Sequence, residues 1–94
     1  MSKELKRYKA RIFGEMYPIV SDEDESFMID VIQRVDSLMK EIAEKSNLAD
    51  TKKIAVLAAL KTSEELLLLQ EMIRDEKNKT DKIIHFLSSD YINL

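Results

Sequence analysis

The sequence predicts an α+β protein that is mostly α, with a small N-terminal head followed by one long C-terminal helix in a dimeric coiled coil. Two observations predict this fold class. The only glycine and the only proline, Gly14 and Pro18, stand near the N-terminus, so the chain after residue 21 lacks both residues that most often interrupt helices. In addition, the apolar residues of KIAVLAALKTSEELLLLQ, residues 53–70, fall on every side of a helix, whereas a surface helix has one apolar stripe.

The composition limits the class of protein further. A chain of 94 residues forms one small domain, and its 45% hydrophobic residues argue against disorder. The absence of cysteine excludes disulfides and thiolate metal sites and favours a reducing compartment. The N-terminus lacks the apolar segment of a signal peptide, and the apolar run at residues 54–60 is too short to span a membrane. We therefore expect a cytoplasmic protein without a membrane segment.

Residues 8–20, YKARIFGEMYPIV, are predicted to form a β-hairpin. Gly14 and Glu15 would form its two-residue turn, because a type II′ turn takes glycine at its first position. One conflict arises in this register, since Pro18 would lie opposite Arg11 in a hydrogen-bonded pair although proline has no N–H to donate. The side chains expected to share the covered face are Tyr8, Ala10, Ile12, Tyr17 and Ile19.

The N-terminal residues 1–11 form a basic arm, with five basic side chains and one acidic one in a chain of net charge −3. Such an arm could bind an acidic partner, either nucleic acid or an acidic peptide. The interpretation that we favour is a solvated strand whose Lys and Arg side chains prevent edge-to-edge aggregation.

Residues 21–46 are predicted to form an amphipathic helix that completes the head, residues 1–49. Ser21 is the expected N-cap, and the acidic run at residues 22–25 suits the positive end of the helix dipole. The helix should end near Ser46 and Asn47. The expected apolar stripe consists of Met28, Val31, Ile32, Val35, Leu38, Met39 and Ile42.

Residues 50–94 are predicted to form the long dimerisation helix and coiled-coil stem, capped at Asp50 or Thr51. The head can cover only one side of residues 54–69, and soluble monomers rarely leave such an apolar patch exposed. A second copy of the same helix is the simplest cover, because twofold dimers are the commonest homo-oligomers. In the stem, the polar stretch RDEKNKTDK weakens the seam. The predicted dimer interface consists of Ile54, Ala55, Leu57, Ala58, Leu66, Leu69, Ile73, Ile84 and Leu87.

No pattern in the sequence indicates catalytic chemistry. The single histidine, His85, has no second His or Cys beside it, so we predict no metal site. One glycine cannot form a Gly-rich phosphate loop, and adjacent carboxylates such as Glu64 and Glu65 do not face each other on a helix. We predict a non-enzymatic protein with no cofactor and no small-molecule substrate.

Three stretches of the chain, taken together and in order, carry a family resemblance. They are RIFGEMYPI at residues 11–19, VDSLMKEI at residues 35–42 and DTKKIAVLAALKTSEELLLLQ at residues 50–70. This set resembles the ZapA family of bacterial cell-division proteins. The resemblance implies a dimer that binds FtsZ, the tubulin-like division polymer, and cross-links its filaments to support the ring at midcell. Many members form tetramers through their stems; for this short stem we expect a dimer, with a tetramer only at high concentration.

The candidate FtsZ contacts are the exposed charges of the predicted head and helix junction. Two of them depart from the family pattern, because members carry a basic residue at the position of Glu15 and an acidic residue near that of Lys52. The contacts of those members are therefore not carried over. The alternative function is a small dimeric coiled-coil adaptor, or a nucleic-acid-binding module that uses the basic arm. The candidate contacts are Arg11, Glu15, Lys45, Lys52 and Lys53.

Overall fold

A computed structural model describes the backbone of residues 4–92 and the side chains of residues 4–87. The elements are β1 (Lys6–Ile12), β2 (Glu15–Ser21), α1 (Glu25–Ser46) and α2 (Thr51–Ile92). This mostly helical α+β architecture confirms the predicted fold class. The ends of the predicted basic arm and stem, residues 1–3 and 93–94, lie outside the described residues.

The chain divides into two compact units, Met1–Ala59 (unit 1) and Leu60–Leu94 (unit 2). Unit 1 holds the hairpin, α1 and the first nine residues of α2. The predicted boundary at residues 49 and 50 therefore falls ten residues earlier than the boundary between these units. In unit 2, every large apolar side chain among the described residues is exposed.

The hairpin turn consists of Phe13 and Gly14 rather than Gly14 and Glu15, so the predicted register is wrong. Ile12 pairs with Glu15, and Pro18 lies opposite Lys9. Both turn residues have positive φ, 50° at Phe13 and 83° at Gly14, as a type I′ turn requires. Since hydrogen-bonded and non-hydrogen-bonded pairs alternate outward from the turn, Pro18 stands at a non-hydrogen-bonded pair. The conflict over its missing N–H is thereby removed.

The predicted faces of the hairpin are nevertheless correct. Each residue of β1 pairs two positions away from its expected partner, and a shift of two residues preserves the alternation of faces. Tyr8 lies opposite Ile19, and Ala10 lies opposite Tyr17. Ala10 is buried, and the Tyr8 hydroxyl donates a hydrogen bond of 2.8 Å to the carbonyl oxygen of Glu23. The covered face therefore anchors the hairpin to the segment that leads into α1.

Asp36, in the middle of α1, holds the hairpin turn. Its Oδ1 accepts a hydrogen bond of 2.7 Å from the Phe13 N–H, and its Oδ2 lies 2.8 Å from Lys40 Nζ. The Lys40 ammonium and the Phe13 N–H lower the pKa of Asp36 below its ordinary value, with desolvation opposing them in part. The Phe13 side chain packs against the core of unit 1, which offsets the cost of a left-handed backbone at a bulky residue.

The substitution Asp36→Asn is expected to lower the free energy of unfolding at pH 7 and to make it less dependent on pH. A carboxylate whose pKa is lowered on folding stabilises the fold above its ordinary pKa of 3.8, and this contribution is lost as the pH falls through the lowered value. Urea unfolding at pH 7 and pH 3 measures the difference between the two proteins, which should shrink at the lower pH. Glu41→Gln is the matched control, because Glu41 forms an equally spaced pair with Lys45 on the exposed part of α1. An equal or larger loss in this control at pH 7 would contradict the role of Asp36.

The start of α1 lies four residues later than predicted. Ser21 is the last residue of β2 instead of the N-cap, and its Oγ accepts a hydrogen bond of 3.1 Å from the Glu23 N–H. The N-cap is Asp24, and only Glu25 of the acidic run lies in the first turn. The C-terminus agrees with the prediction, because Asn47 adopts the left-handed conformation and its N–H donates to the Ala43 carbonyl at 3.1 Å.

The apolar residues of α1 divide into two rows. Met28 and Met39 are buried within their own chain. Val31 and Val35, which the sequence analysis placed in the same stripe, remain exposed, while Leu38 and Ile42 are partly buried. Residues at positions 31, 35, 38 and 42 follow the spacing of a helix-packing seam. The head therefore leaves one apolar row of α1 incompletely covered.

The core of unit 1 includes the first turns of α2. Asp50 caps this helix as predicted: its Oδ1 accepts the N–H groups of Lys52 and Lys53 at 3.0 and 3.3 Å. Ile54 is 0% exposed and Ala58 is 6% exposed, and both cluster with Met39. The surrounding apolar side chains are Ile12, Phe13, Leu38, Ile42, Ala43 and Leu48.

Candidate interaction surfaces

The first candidate surface is the side of α2 that the core of unit 1 leaves open. Val56 is 53% exposed and Leu57 is 38% exposed, although both belong to the apolar run at residues 54–60. They line an open depression of about 500 Å³. Apolar side chains at the base of a concave surface are typical of the centre of a protein interface. We name this surface the junction depression; its lining residues are Leu48, Asp50, Lys52, Lys53, Val56 and Leu57.

Two residues of the predicted dimer interface, Ile54 and Ala58, also belong to the core of unit 1, where they are 0% and 6% exposed. Ala55 and Leu57 are exposed, as are the predicted interface residues of unit 2. Leu48 and Val56 of the junction depression are not among the predicted interface residues, and Val31 and Val35, predicted in the covered stripe of α1, are exposed. The signal at Val56 was present in the run of residues 54–60, which is apolar on all sides.

The junction depression has a charged rim. Lys52 and Lys53 occupy the first turn of α2, which contains no acidic residue. Cations are disfavoured there, because the N-terminus of a helix carries partial positive charge. Asp50, the N-cap, compensates only in part. Lys52 and Lys53 therefore do not stabilise the N-terminus of α2 through the helix dipole.

Lys45 has a structural explanation of its own. It lies in the last turn of α1, where a cation complements the helix dipole. Its Nζ lies 2.7 Å from Glu41 Oε1, and this carboxylate raises the pKa of Lys45. Both side chains are largely exposed to solvent, so the pair adds little to stability.

The structure separates the two hairpin candidates, Arg11 and Glu15. Glu15 is paired with Ile12, and neighbouring residues of a strand point to opposite faces, so Glu15 and Arg11 project from opposite sides of the sheet. The Tyr17 hydroxyl donates a hydrogen bond of 3.1 Å to Glu15 Oε2, and this carboxylate raises the pKa of Tyr17. A flat partner surface cannot contact Arg11 and Glu15 through the same face of the hairpin.

The second candidate surface is the face of the hairpin that points away from α1, which we name the outer hairpin face. On β1 it carries Arg7, Lys9 and Arg11, and on β2 it carries Met16, Pro18 and Val20. These residues pair across the sheet as Arg7 with Val20, Lys9 with Pro18 and Arg11 with Met16. All six are exposed. The face therefore consists of a row of cations beside a row of apolar side chains, with no carboxylate in either row.

The described residues contain neither a cluster that could bind a metal ion nor a helix that could span a membrane. Among the described residues, no group of three or more His, Cys, Asp or Glu side chains could hold a metal ion. His85 is exposed in unit 2. Within the same residues, no helix has the length and hydropathy needed to cross a membrane.

A hairpin-and-helix unit that continues into a long helix with exposed apolar side chains defines a class of small proteins that act by association. Comparison with known proteins identifies the family. The family model "Cell division protein ZapA" matches residues 8–89. The chain belongs to the ZapA family of cell division proteins, which confirms the resemblance found in the sequence and indicates an accessory role in cell division.

Individual relatives agree with this assignment. The cell division protein ZapA of Bacillus licheniformis is 38% identical over 68 residues, which cover 72% of this chain and 80% of that protein. That of Oceanobacillus iheyensis is 40% identical over 72 residues, or 76% and 84% of the two chains. Among solved structures, a ZapA mutant dimer from Geobacillus stearothermophilus aligns with a TM-score of 0.70 and 31% identity, covering 85% of this chain and 93% of that one.

Proposed function

We propose that this chain forms a homodimer through α2 and that the dimer binds FtsZ filaments and cross-links them at the midcell division site. The observation that carries the proposal is the exposed apolar side of α2 in unit 1, where Val56 and Leu57 line the junction depression. In unit 2, considered by itself, residues 66–69 are also apolar and exposed, and contiguous apolar patches are rare on soluble monomers. A structural relative with a TM-score of 0.70 is described as a dimer, which supports a second copy of the chain as the cover.

Cross-linking follows from the symmetry of such a dimer. A twofold dimer presents each surface of unit 1 twice. Two weak sites on one particle hold two filaments together through the effective concentration of the second site. This mechanism requires no reaction at a bound substrate. The proposed location is the cytoplasm at midcell, and a tetramer joined through the stems is the proposed further assembly at high concentration.

The test makes two measurements on the wild-type protein, its mass in solution and its binding to FtsZ filaments. Light scattering after gel filtration gives the mass, which should be twice that of the 10.9 kDa chain. Sedimentation of GTP-assembled FtsZ from the same organism should carry the dimer into the pellet, and scattering should report bundles. Because the candidate contacts are exposed charges, bundling should weaken as the salt concentration rises. A protein that neither pellets with filaments nor bundles them at low salt would exclude the FtsZ proposal, and duplex DNA in a mobility shift tests the nucleic-acid alternative.

The double substitution Lys52→Glu and Lys53→Glu is expected to weaken binding to FtsZ while the dimer mass stays unchanged. The side chains are exposed at the rim of the junction depression, so the carboxylates would remain in water and would repel an acidic partner. We expect at least a tenfold loss in apparent affinity by co-sedimentation, equivalent to about 1.4 kcal/mol.

The mass of this double variant shows whether Lys52 and Lys53 belong to the dimer interface or to the filament contact. If it sediments as a monomer, Lys52 and Lys53 belong to the dimer interface and not to the filament contact. Lys45→Glu is a single charge reversal at the end of α1. Its structural role is the exposed pair with Glu41, and comparison with the double variant shows which end of the helix junction faces the filament.

A further inference from the structure

The two free edges of the hairpin are chemically different. In a two-stranded antiparallel sheet, residues at non-hydrogen-bonded pairs turn their N–H and C=O groups away from the partner strand. Counting outward from the turn, these residues are Arg7, Lys9 and Arg11 on β1. On β2 they are Met16, Pro18 and Val20. Within the part of the chain that the structure describes, no backbone hydrogen bond joins either edge to another element.

Only the edge of β1 offers an uninterrupted row of hydrogen-bond donors. Pro18 lacks an N–H at the middle of the β2 edge, which blocks strand addition there. On β1, the three residues whose backbone groups face outward are also the three cations of the outer hairpin face. Their side chains repeat every two residues, about 7 Å apart along the strand. An extended segment added to this edge would present side chains with the same repeat.

The charges of the outer hairpin face select the partner. No side chain among the described residues forms an ion pair with Arg7, Lys9 or Arg11. Positive edge residues repel a second copy of the same strand, which is a common protection against aggregation. The same charges attract a strand with carboxylates at alternate positions, because opposite charges directly across a sheet are stabilising. A lipid surface would satisfy the charges but would not pair with the row of backbone groups.

We infer that the free edge of β1 is a docking site for an acidic segment of the filament partner, which adds to the hairpin as a third strand. The cations Arg7, Lys9 and Arg11 contact its carboxylates, and the outward N–H and C=O groups of the same residues form the ladder. This inference rests on the proposed function, since it adds a second filament contact, at one edge of unit 1, to the contact proposed at Lys52 and Lys53. It also places the contact on the face of the hairpin opposite to Glu15.

The charge test compares two triple reversals in the full-length dimer. The variant R7E/K9E/R11E reverses the cations of the edge, and R74E/K79E/K82E makes the same change of charge on exposed positions of unit 2. Co-sedimentation with GTP-assembled FtsZ should show at least a tenfold loss of affinity for the first variant and less than a threefold loss for the second. Equal losses of affinity in the two variants would show that net charge alone accounts for the effect, and would overturn the inference.

The edge test separates backbone pairing from charge. Lys9→Pro removes the central N–H of the β1 edge, Lys9→Ala removes only the charge, and Val20→Pro removes an N–H from the β2 edge. All three positions lie at non-hydrogen-bonded pairs, so the ladder between β1 and β2 is kept. Binding should fall further in Lys9→Pro than in Lys9→Ala, and Val20→Pro should bind within twofold of the wild type. Equal affinities for Lys9→Pro and Lys9→Ala would overturn strand addition.

The remaining outcomes identify a different occupant. If R7E/K9E/R11E loses dimer mass, the edge belongs to a second copy of the chain. If this variant keeps its affinity for filaments but loses binding to phosphatidylglycerol vesicles, the occupant is an anionic membrane. Both results contradict the inference while leaving filament binding by the wild type intact. Failure of the wild type to sediment with filaments would instead contradict the proposed function itself.

Discussion

Replacing Ile54 by alanine is expected to lower the free energy of unfolding by about 2–5 kcal/mol, the usual cost of truncating a fully buried isoleucine. Ile54 is 0% exposed and joins Met39 and Ala58 in the centre of unit 1. A small domain has little stability in excess, so we expect the hairpin, α1 and the start of α2 to lose their structure together. Chemical denaturation followed by far-UV circular dichroism at fixed protein concentration measures the loss.

The matched control is Val56→Ala, two residues away in the same turn. Val56 is 53% exposed, so within one chain its truncation removes little buried surface. Any cost of Val56→Ala should depend on protein concentration, because it would arise from the dimer. The cost of Ile54→Ala should persist at every concentration. A loss of less than 1 kcal/mol for Ile54→Ala would contradict the core described here.

The contrast between Ile54 and Val56 shows what the sequence can and cannot specify. A run that is apolar on all sides predicts a helix that is covered all round, and the structure shows one covered side, which carries Ile54 and Ala58. Because apolar residues occur on every side of such a helix, the periodicity of 3.6 residues does not indicate which side is buried against the head. Which side meets the chain's own head depends on the packing of Met39, Phe13 and Leu48 against it, and this is tertiary information. The sequence alone therefore does not indicate that Ile54 and Ala58 contact the head.

The hairpin shows a similar division. Alternation of polar and apolar residues determined the faces of both strands, and those faces are as predicted. The predicted turn is misplaced because a type II′ turn needs positive φ only at its first residue, which the sequence offers at Gly14. Phe13 shares that conformation, and it is held there by Asp36, which is 23 positions away in sequence. Propensity rules do not include such a distant hydrogen bond.

The role of the charged residues in the hairpin also depends on the fold, because the fold determines which face each side chain occupies. Arg11 and Glu15 are close in sequence, but the hairpin places them on opposite faces. The basic arm, by contrast, is partly a strand, so Arg7, Lys9 and Arg11 acquire a regular spacing and a common direction, while Lys6 points to the other face. The feature that distinguishes the two sheet edges, Pro18 on β2 alone, has meaning only in the observed register.

Leu57→Glu is expected to convert the proposed homodimer into a monomer. Leu57 is 38% exposed within the chain and lines the junction depression. A partner helix on this surface would desolvate the new carboxylate among apolar side chains; Lys53, one turn earlier at the rim of the depression, would offset part of the cost and leave about 3 kcal/mol. Such a cost raises the dissociation constant of the dimer by a factor of 100 or more. Analytical ultracentrifugation over a range of concentrations measures this constant directly.

The control for Leu57→Glu adds the same charge where no partner is expected. Gln33 is exposed on α1, and position 33 lies on the other side of the helix from the row at positions 31, 35, 38 and 42. Gln33→Glu should therefore dissociate like the wild type, which shows that the charge itself is tolerated. Leu57→Ala should fall between the two, because it removes apolar contact without burying a carboxylate. If Leu57→Glu sediments as a dimer with the wild-type constant, the open side of α2 is not covered by a second copy, and bivalent cross-linking of filaments loses its structural basis.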